Sequence, residues 1–443
     1  APLASAQTRT LRVVTYNIEA DINGVTTPRP GLIAPPSAPS NVQAGGVLEG
    51  IGEEMVGNDP AQPLDILALQ ETTSNPITIS PIVNGLNSFY NSPGMYTNSN
   101  YQASESGGDV ADGNGPNALV YNTKTVQLIA SVPVDPPGGA GYLGSSSGEY
   151  REVMRYEFAP AGMVPTAANE FYIYASHYKS GTSSSDLTYR NGEAQIIRND
   201  EANNLPANAR VIYAGDFNIT TSGEASYQTI LAAKAPNGIQ QGQGIDPMNA
   251  TGSTGINWGT YTTATNILAM ESESATDLRY RDDLQVLTTN VYYGMPSGLS
   301  YVPETYHVFG NNGTTPYYGT VNSGSNTALN NNLAPGSTIS AAQLYLDLTD
   351  ASDHLPMVAD YTILLPAPLI TDVSTDGTNL FLDVANAITN GVFTVLTSTS
   401  PTLSLTNWTA VATNVASSDH FVFTVTNALS QTTPIQLFII EEN

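Results

Sequence analysis

Short runs of β-branched, aliphatic and aromatic residues recur along this chain, and several break off at an acid, an amide or an imidazole. "LRVVTYNI", "DILALQ", "NALVYN", "FYIYASHY", "RVIYAGDF" and "LQVLTTNV" are each of strand length and adjoin turn-forming residues. Segments with helical spacing lie between them. Val47, Ile51, Met55 and Val56 share one side of "GVLEGIGEEMVG". Tyr189 to Asn203 is rich in Glu, Ala, Gln, Ile and Arg, and "GEASYQTILAAK" follows a cap at Ser222 or Gly223. Strands alternating with helices specify an α/β fold. Several strands have the composition of half-exposed elements, so mixed sheets are expected rather than purely parallel ones.

Two stretches dense in Gly, Asn, Thr and Tyr, around 236–262 and 294–340, read as elaborated loops of the kind that border binding clefts. "LTDASDHLPM" then reads as a strand-like approach ending in an acid beside an imidazole. Beyond "ADYTILLPAPLITD" the texture changes: Lys and Arg vanish, and "NLFLDV", "GVFTVLTS", "HFVFTVT" and "IQLFII" are separated by Asn, Thr, Ser and Pro. This predicts a small antiparallel β-sandwich over 369–443, joined through Pro366 to Pro368 and serving as a spacer or as a surface- or glycan-binding module.

The chain carries 13 Lys and Arg against 39 Asp and Glu, a formal charge of −26. That sign opposes an extended nucleic-acid surface, which rests on basic residues neutralising phosphates. A protein of this sign can still cut DNA if it uses metal ions at the phosphate and keeps a local basic patch. With no cysteine, thiol nucleophiles, disulfides and zinc–thiolate sites are excluded. No apolar stretch is long enough to cross a bilayer. The opening "APLASAQ" has the small residues of a processed signal-peptide tail, so a secreted protein is expected.

Taken together, the strand ends assemble a set of side chains. The first run ends in Asn17 with Glu19 two residues on, the second meets Glu71, and the fourth ends in His177. The fifth ends in Asp216 with Asn218 beyond it, the sixth starts at Asp283, and the last approach gives Asp353 and His354. Singly, each is an ordinary turn former. Together they make a polar rim of acids, amides and imidazoles where α/β proteins bind ligands. Hard oxygen donors such as Glu71 and Asp353 suit Mg²⁺, Mn²⁺ or Ca²⁺. A cation of this kind with a carboxylate-oriented His is the equipment for hydrolysis at phosphorus.

"TYNIE", "LALQE", "ASHYKSG", "YAGDFN", "RDDLQVL" and "SDHLP", in this order over residues 10–362, resemble the endonuclease/exonuclease/phosphatase superfamily, the fold of pancreatic-type deoxyribonuclease. The resemblance implies a four-layer α/β/β/α sandwich of two mixed sheets with the site at one end. It also implies the roles. Asn17 orients the phosphate; Glu71 is the principal metal ligand, with Asp353 direct or through water. Asp216 is the general base and works with Asn218. His177 contacts the phosphate or acts as an acid, with Asp283 as its carboxylate partner, and His354 hydrogen-bonds a non-bridging oxygen. Glu19 is either a second metal-site acid or a solvent-facing residue. Asp283 is preferred to Asp282 because Arg, one residue, then Asp leading into "LQVL" matches the family's strand opening.

Arg151 and Arg155 resemble the family's basic strand facing the site, and with Lys179, Arg190 and Arg198 they suggest a patch for the substrate phosphate. Tyr150 is an alternative phosphate-contacting residue. "SHYKSG" and "YRNGEAQIIRND" are similar to segments of large secreted bacterial nucleases, which favours a secreted nuclease or phosphodiesterase acting on nucleic acid or a small diester. The scarcity of bases favours a small diester, a lipid headgroup or a range of phosphoesters. A catalytically idle surface-binding protein is the remaining alternative, and the presence of Glu71, His177, Asp216 and His354 speaks against it.

Overall fold

The computed structural model describes residues 7–19, 30–33, 46–57, 59–72, 75–99, 116–134, 141–142, 148–233, 242–249, 275–294, 298–315, 318–365, 368–387, 391–418, 420–428 and 436–442. In chain order the strands of the larger part are β1 (Gln7–Asn17), β2 (Ile66–Gln70), β3 (Tyr96–Asn98), β4 (Ala118–Asn122), β5 (Val126–Val134), β6 (Gly141–Tyr142), β7 (Gly148–Tyr150), β8 (Val153–Pro160), β9 (Phe171–His177) and β10 (Val211–Asp216). They continue with β11 (Gly244–Ile245), β12 (Asp283–Thr288), β13 (Gly298–Tyr301), β14 (His307–Val308) and β15 (Met357–Leu365). The α-helices are α1 (Val47–Glu53), α2 (Ser80–Phe89), α3 (Ser184–Asn204), α4 (Ala225–Leu231), α5 (Thr289–Tyr292), α6 (Ala328–Asn332) and α7 (Ala341–Ala351).

One sheet runs β13-β15-β1-β2-β4-β3, with β14 also on β15; the other runs β11-β12-β10-β9-β8-β5. Each is mixed: β1 and β2 are parallel, as are β9 and β10, while β1/β15 and β10/β12 are antiparallel. The sheets pack face to face, β1 against β10 and β12, and β2 against β9.

Strand periodicity sets which side chains meet. On β1, Arg12 points outward, donating to Asp360 at 2.9 Å and to the carbonyls of Ile51 and Glu54 at the end of α1. The adjacent registered pair, Leu11 and Tyr361, points inward, where Tyr361 donates to Gln285 of the opposite sheet. On the outer face of the second sheet, Tyr174 and Tyr213 reach Asp200 and Glu201 of α3. Ser183 caps α3 by accepting from the Asp186 amide, and Asp186 answers by accepting from the Ser183 amide, which satisfies two of the orphan donors at that end. The result is helices outside two packed sheets, the α/β/β/α arrangement expected.

After β15 the chain forms β16 (Leu369–Thr375), β17 (Leu380–Ala385), β18 (Val392–Ser398), β19 (Thr409–Val415), β20 (Phe421–Val425) and β21 (Leu437–Glu442). They pair as two antiparallel three-stranded sheets, β16-β17-β20 and β19-β18-β21. Alternate residues Leu380, Leu382 and Val384 meet Phe393, Val395, Phe421 and Phe423 in a core separate from that of the larger part. This C-terminal β domain matches the strand pattern of the sequence.

Some local expectations need correcting. The approach to "SDH" is the helix α7, not a strand: Leu344, Tyr345, Leu348 and Ala351 recur at helical spacing and are buried. The stretch 294–340, read as loop, also contains β13, β14 and α6. Most of the loop expected at 236–262 lies outside the described residues, as does Pro366.

Candidate active site

The inward positions of the central strands end in polar residues at one rim. Asp216 is registered against His177 on one side and Asp283 on the other. Asn17 and Gln70 are registered across β1 and β2 in the facing sheet. The two sheets are tied at this rim where Asn17 Nδ2 donates to Asp216 Oδ2 at 3.1 Å.

Asp216 is the centre of the cluster. Its Oδ1 accepts from the Asn218 amide N–H at 3.0 Å and from Asn218 Nδ2 at 2.9 Å. Its Oδ2 lies 3.3 Å from His177 Nε2 and 3.9 Å from His354 Nε2. Gly215 lets this strand approach β9: a side chain there would meet the Ser176 carbonyl at 1.9 Å, with φ at +148°.

His354 is fixed from behind. Its Nδ1 lies 2.8 Å from Asp283 Oδ2; beside a carboxylate that nitrogen carries the proton, so Nε2 faces Asp216. Burial opposes a charge on the ring, but Asp283, Asp353 and Asp216 together outweigh it and hold the imidazole well above the ordinary histidine range. Asp283 is therefore a partner of His354, where the sequence suggested His177. Asp282 takes a structural place, its carbonyl accepting from the Phe217 amide.

Ser352 joins the motif to β1: its hydroxyl donates to the Asn17 carbonyl at 2.7 Å and accepts from the His354 amide at 3.0 Å. Asp353 stays 45% exposed, and its amide donates to Glu19 Oε2 at 3.2 Å, placing these two acids side by side. Glu71 Oε1 lies 3.7 Å from His177 Nε2. Glu71 Oε2 is buried and finds no hydrogen-bond partner among the described residues. Burial pushes the Glu71 carboxyl up to about 7, opposed by His354 and by a hydrogen bond with the Asn17 side chain and reinforced by Asp216 and Asp353.

Backbone strain is concentrated here. Glu19, Glu71 and Asn218 have φ of 47°, 54° and 49°. Asn tolerates the left-handed region, whereas Glu does so at a cost of roughly 1 kcal/mol or more. A left-handed turn immediately after a strand swings the side chain back over the strand end, which is how Glu19 and Glu71 come to border the cluster.

Among the described residues no three His, Asp or Glu side chains converge as a ready-made cation cage. The donor set nonetheless suits a hard divalent ion: a buried, unmatched carboxylate oxygen on Glu71, with Asp353 and Glu19 adjoining one another.

Of the residues expected to form a basic patch, Arg155, Arg190 and Arg198 are held in ion pairs. Arg155 pairs with Asp200 on the helix side of the second sheet, away from the rim. Arg190 pairs with Glu224 at 2.5 Å, and Arg198 is engaged by Glu201 and the Gly242 carbonyl. Tyr150 packs edge-on against Tyr189 and against Gly192 of α3. Arg151 does lie beneath the cluster, where its Nη1 donates to the Tyr178 carbonyl at 2.8 Å, and Asp216 and Glu71 act on its charge. Lys179 Nζ donates to the Ser180 carbonyl at 3.0 Å and lies 3.6 Å from Asp186.

Sequence reasoning overlooked Glu193. From a fully buried position on α3 it accepts from the amides of Arg151 and Lys179, both at 2.8 Å, and so clamps the segments following β7 and β9. Nothing in its local sequence marks it, because its partners are backbone groups brought in by the fold.

The chain belongs to the Endonuclease/Exonuclease/phosphatase family, whose model matches residues 14–269. Members of that superfamily are phosphoesterases and nucleases, hydrolases of phosphoester bonds that generally use divalent metals. Solved structures similar to this chain include the human Nocturnin catalytic domain with bound sulfate, at 15% identity and TM-score 0.41, covering 80% of this chain and 97% of that one. An endonuclease/exonuclease/phosphatase from Beutenbergia cavernae DSM 12333 is 14% identical with TM-score 0.39, covering 98% and 100%. D. rerio TDP2 complexed with single-strand DNA product is 14% identical with TM-score 0.37, covering 80% and 98%. No curated protein matches the chain. Among the described residues no helix is long and apolar enough to cross a membrane.

Proposed function

We propose that this chain is a divalent-metal-dependent phosphodiesterase that cleaves short or small diesters by direct attack of water. The observation that carries the reading is Asp216, a carboxylate held between two imidazoles and oriented by two amides at one rim. Asp216 accepts the proton of the attacking water, and Asn218 fixes the carboxylate, its Nδ2 donating to Asp216 Oδ1 and to the Tyr178 carbonyl. His354, kept charged by its carboxylate neighbours, donates from Nε2 to a non-bridging oxygen; His177 donates to the phosphate from the other side. Asn17 aligns the phosphate between the sheets, and Arg151 and Lys179 contribute positive potential from beneath and beside the cluster. A divalent cation, when bound, neutralises charge on the phosphoryl oxygens. Glu71 would hold it, with Asp353 and Glu19 as further donors.

The preference for short substrates follows from charge. Arg155, Arg190 and Arg198 are engaged in structural ion pairs, so they are not available to track a polyanion. The same reading includes secretion and a surface- or glycan-binding role for the base-free C-terminal domain over 369–443.

The test is hydrolysis of bis(p-nitrophenyl) phosphate and nicking of supercoiled plasmid, each with Mg²⁺ or Mn²⁺ and with a chelator. Metal-dependent turnover of the small diester that disappears in Asp216→Asn is expected, with plasmid cut weakly. No turnover of either substrate with any metal would overturn the proposal.

A further inference from the structure

A cavity of about 240 Å³ lies beside β14, and its walls come from residues other than those of the strand-end rim. It is smaller than the roughly 300–1,000 Å³ of sites for drug-sized ligands. Val56, Val308, Ala328 and Met248 give it an apolar side. Tyr306 closes another side and is held in place. Its hydroxyl accepts from the Gln285 amide at 3.3 Å, and its own amide donates to the Tyr301 hydroxyl at 3.2 Å. The cavity is thus built into the fold.

Most of the polar lining is already engaged. His307 Nε2 lies 2.9 Å from Glu54 Oε2 and its Nδ1 2.7 Å from the Thr305 carbonyl, so the imidazole brings no unmatched charge. Asn332 Nδ2 donates to Glu54 Oε1 at 3.2 Å. Asn311 Oδ1 accepts from the Gly313 amide at 2.9 Å, and Asn312 Oδ1 from the Thr314 hydroxyl at 2.7 Å. Glu304 differs. It lines the same cavity and is exposed, and among the described residues its carboxylate has neither a hydrogen bond nor an ion pair. Its backbone is also unusual. The Thr305 amide donates to the Val302 carbonyl at 3.4 Å, closing a Pro303–Glu304 turn in which Glu304 has a φ of 70°. Glycine or asparagine fills that third position of a turn without strain. The fold accepts strain to keep a carboxylate there, on the cavity wall.

An apolar wall with one unengaged carboxylate suits a ligand that carries one positive donor on a short hydrocarbon body. A divalent cation would need about six or more oxygen ligands. An anion would meet Glu304 on a chain of charge −26. We infer that the cavity binds a small organic ammonium ion, its charged head on Glu304 and its hydrocarbon part against Val56, Val308 and Ala328. The charge of the chain favours the approach of such a ligand, most strongly at low ionic strength. This site stands whether or not the rim hydrolyses phosphodiesters.

The test titrates n-butylammonium chloride and 1-butanol, which share a hydrocarbon body and differ in charge, into the full chain at fixed ionic strength, read by ligand-observed NMR. Butylammonium is expected to bind about fivefold or more tightly than butanol. Glu304→Gln should bring butylammonium down to the level of butanol and leave butanol unchanged. Ala328→Leu fills the apolar end and should weaken both. A melting curve for each variant confirms folding, and Glu304→Gln, on an exposed turn, keeps the test open should Ala328→Leu not fold. Equal affinity of the two ligands for the wild-type chain, or no binding of either, would overturn the inference. So would butylammonium binding that survives Glu304→Gln or a folded Ala328→Leu, because the ion would then be held by the anionic surface at large.

Discussion

Asp283 and His354 form a buried pair at 2.8 Å that reaches from the first residue of β12 to the turn after α7, and it leaves the imidazole Nε2 facing Asp216. Removing the carboxylate frees the ring to take the other tautomer and lowers its affinity for a proton. Asp283→Asn is expected to lower kcat about 100-fold with little change in KM, as loss of an oriented acid does. Steady-state kinetics of Asp283→Asn, His354→Ala and the double variant check it. The double variant should be hardly worse than His354→Ala, because the pair acts as a unit.

Glu193 gives a prediction separable from chemistry. Burial outweighs its hydrogen bonds to Arg151 and Lys179 and pushes its carboxyl up to about 7. A group whose pKa is raised in the folded state stabilises the fold below its ordinary pKa, and that contribution is lost as pH rises through the raised value. Stability should therefore fall through this residue between about pH 4.5 and about pH 7. Glu193→Gln should flatten that part of the melting-temperature profile. It should also raise KM more than it lowers kcat, since it loosens Arg151 and Lys179 without touching Asp216. An unchanged KM in the variant would remove Glu193 from any positioning role.

These two residues also mark what a sequence can show. Asn17, Glu71, His177, Asp216 and His354 were legible because each closes a strand or follows the "SDH" turn, and strand periodicity sends such ends to a common rim. The pairing of Asp283 was not legible because spacing cannot tell which of two histidines a strand-opening acid will face. Arg155, Arg190 and Arg198 looked like a patch because they are close in sequence, yet the same helix and strand turn them toward Asp200, Glu224 and Glu201. Glu193 was invisible, since its two partners are main-chain amides.

A second pH effect lies outside the site. His307 Nε2 is 2.9 Å from Glu54 Oε2, and its Nδ1 is 2.7 Å from the Thr305 carbonyl. Burial opposes both charges, but each partner's field overrides it, raising His307 and lowering Glu54. The histidine's contribution is complete at acid pH and lost as pH rises through its raised value; the glutamate's is lost as pH falls through its lowered one. The pair is thus most stabilising between those two limits. His307→Gln should lower the melting temperature most within that window and least at high pH, as a scan across pH would reveal.

Arg12 and Asp360 form an ion pair with both side chains fully buried, and Arg12 also donates to the carbonyls of Ile51 and Glu54. Asp360→Ala leaves the guanidinium buried with only neutral partners in contact. Such a change costs about 3–5 kcal/mol. Denaturant titration should report that loss, whereas a surface pair of the same length would register under about 1 kcal/mol.

Glu71 joins the strain of the site to its proposed cation. It sits at φ 54°, with a buried oxygen lacking a hydrogen-bond partner among the described residues, beside Asp216 and Asp353. Without a cation these features destabilise the fold; under the proposed function the same oxygen would become a ligand, and cation binding would stabilise the folded chain by mass action. Wild-type melting temperature should therefore rise on titration with Mn²⁺ and fall back with chelator. Glu71→Gln removes the charge but keeps the shape. Its melting temperature without metal should equal or exceed that of the wild type, its response to Mn²⁺ should be largely lost, and turnover should need about tenfold or more additional metal. A variant that still responds to Mn²⁺ like the wild type would move the cation away from Glu71 and toward Asp353 and Glu19, whose adjacency would then define the site.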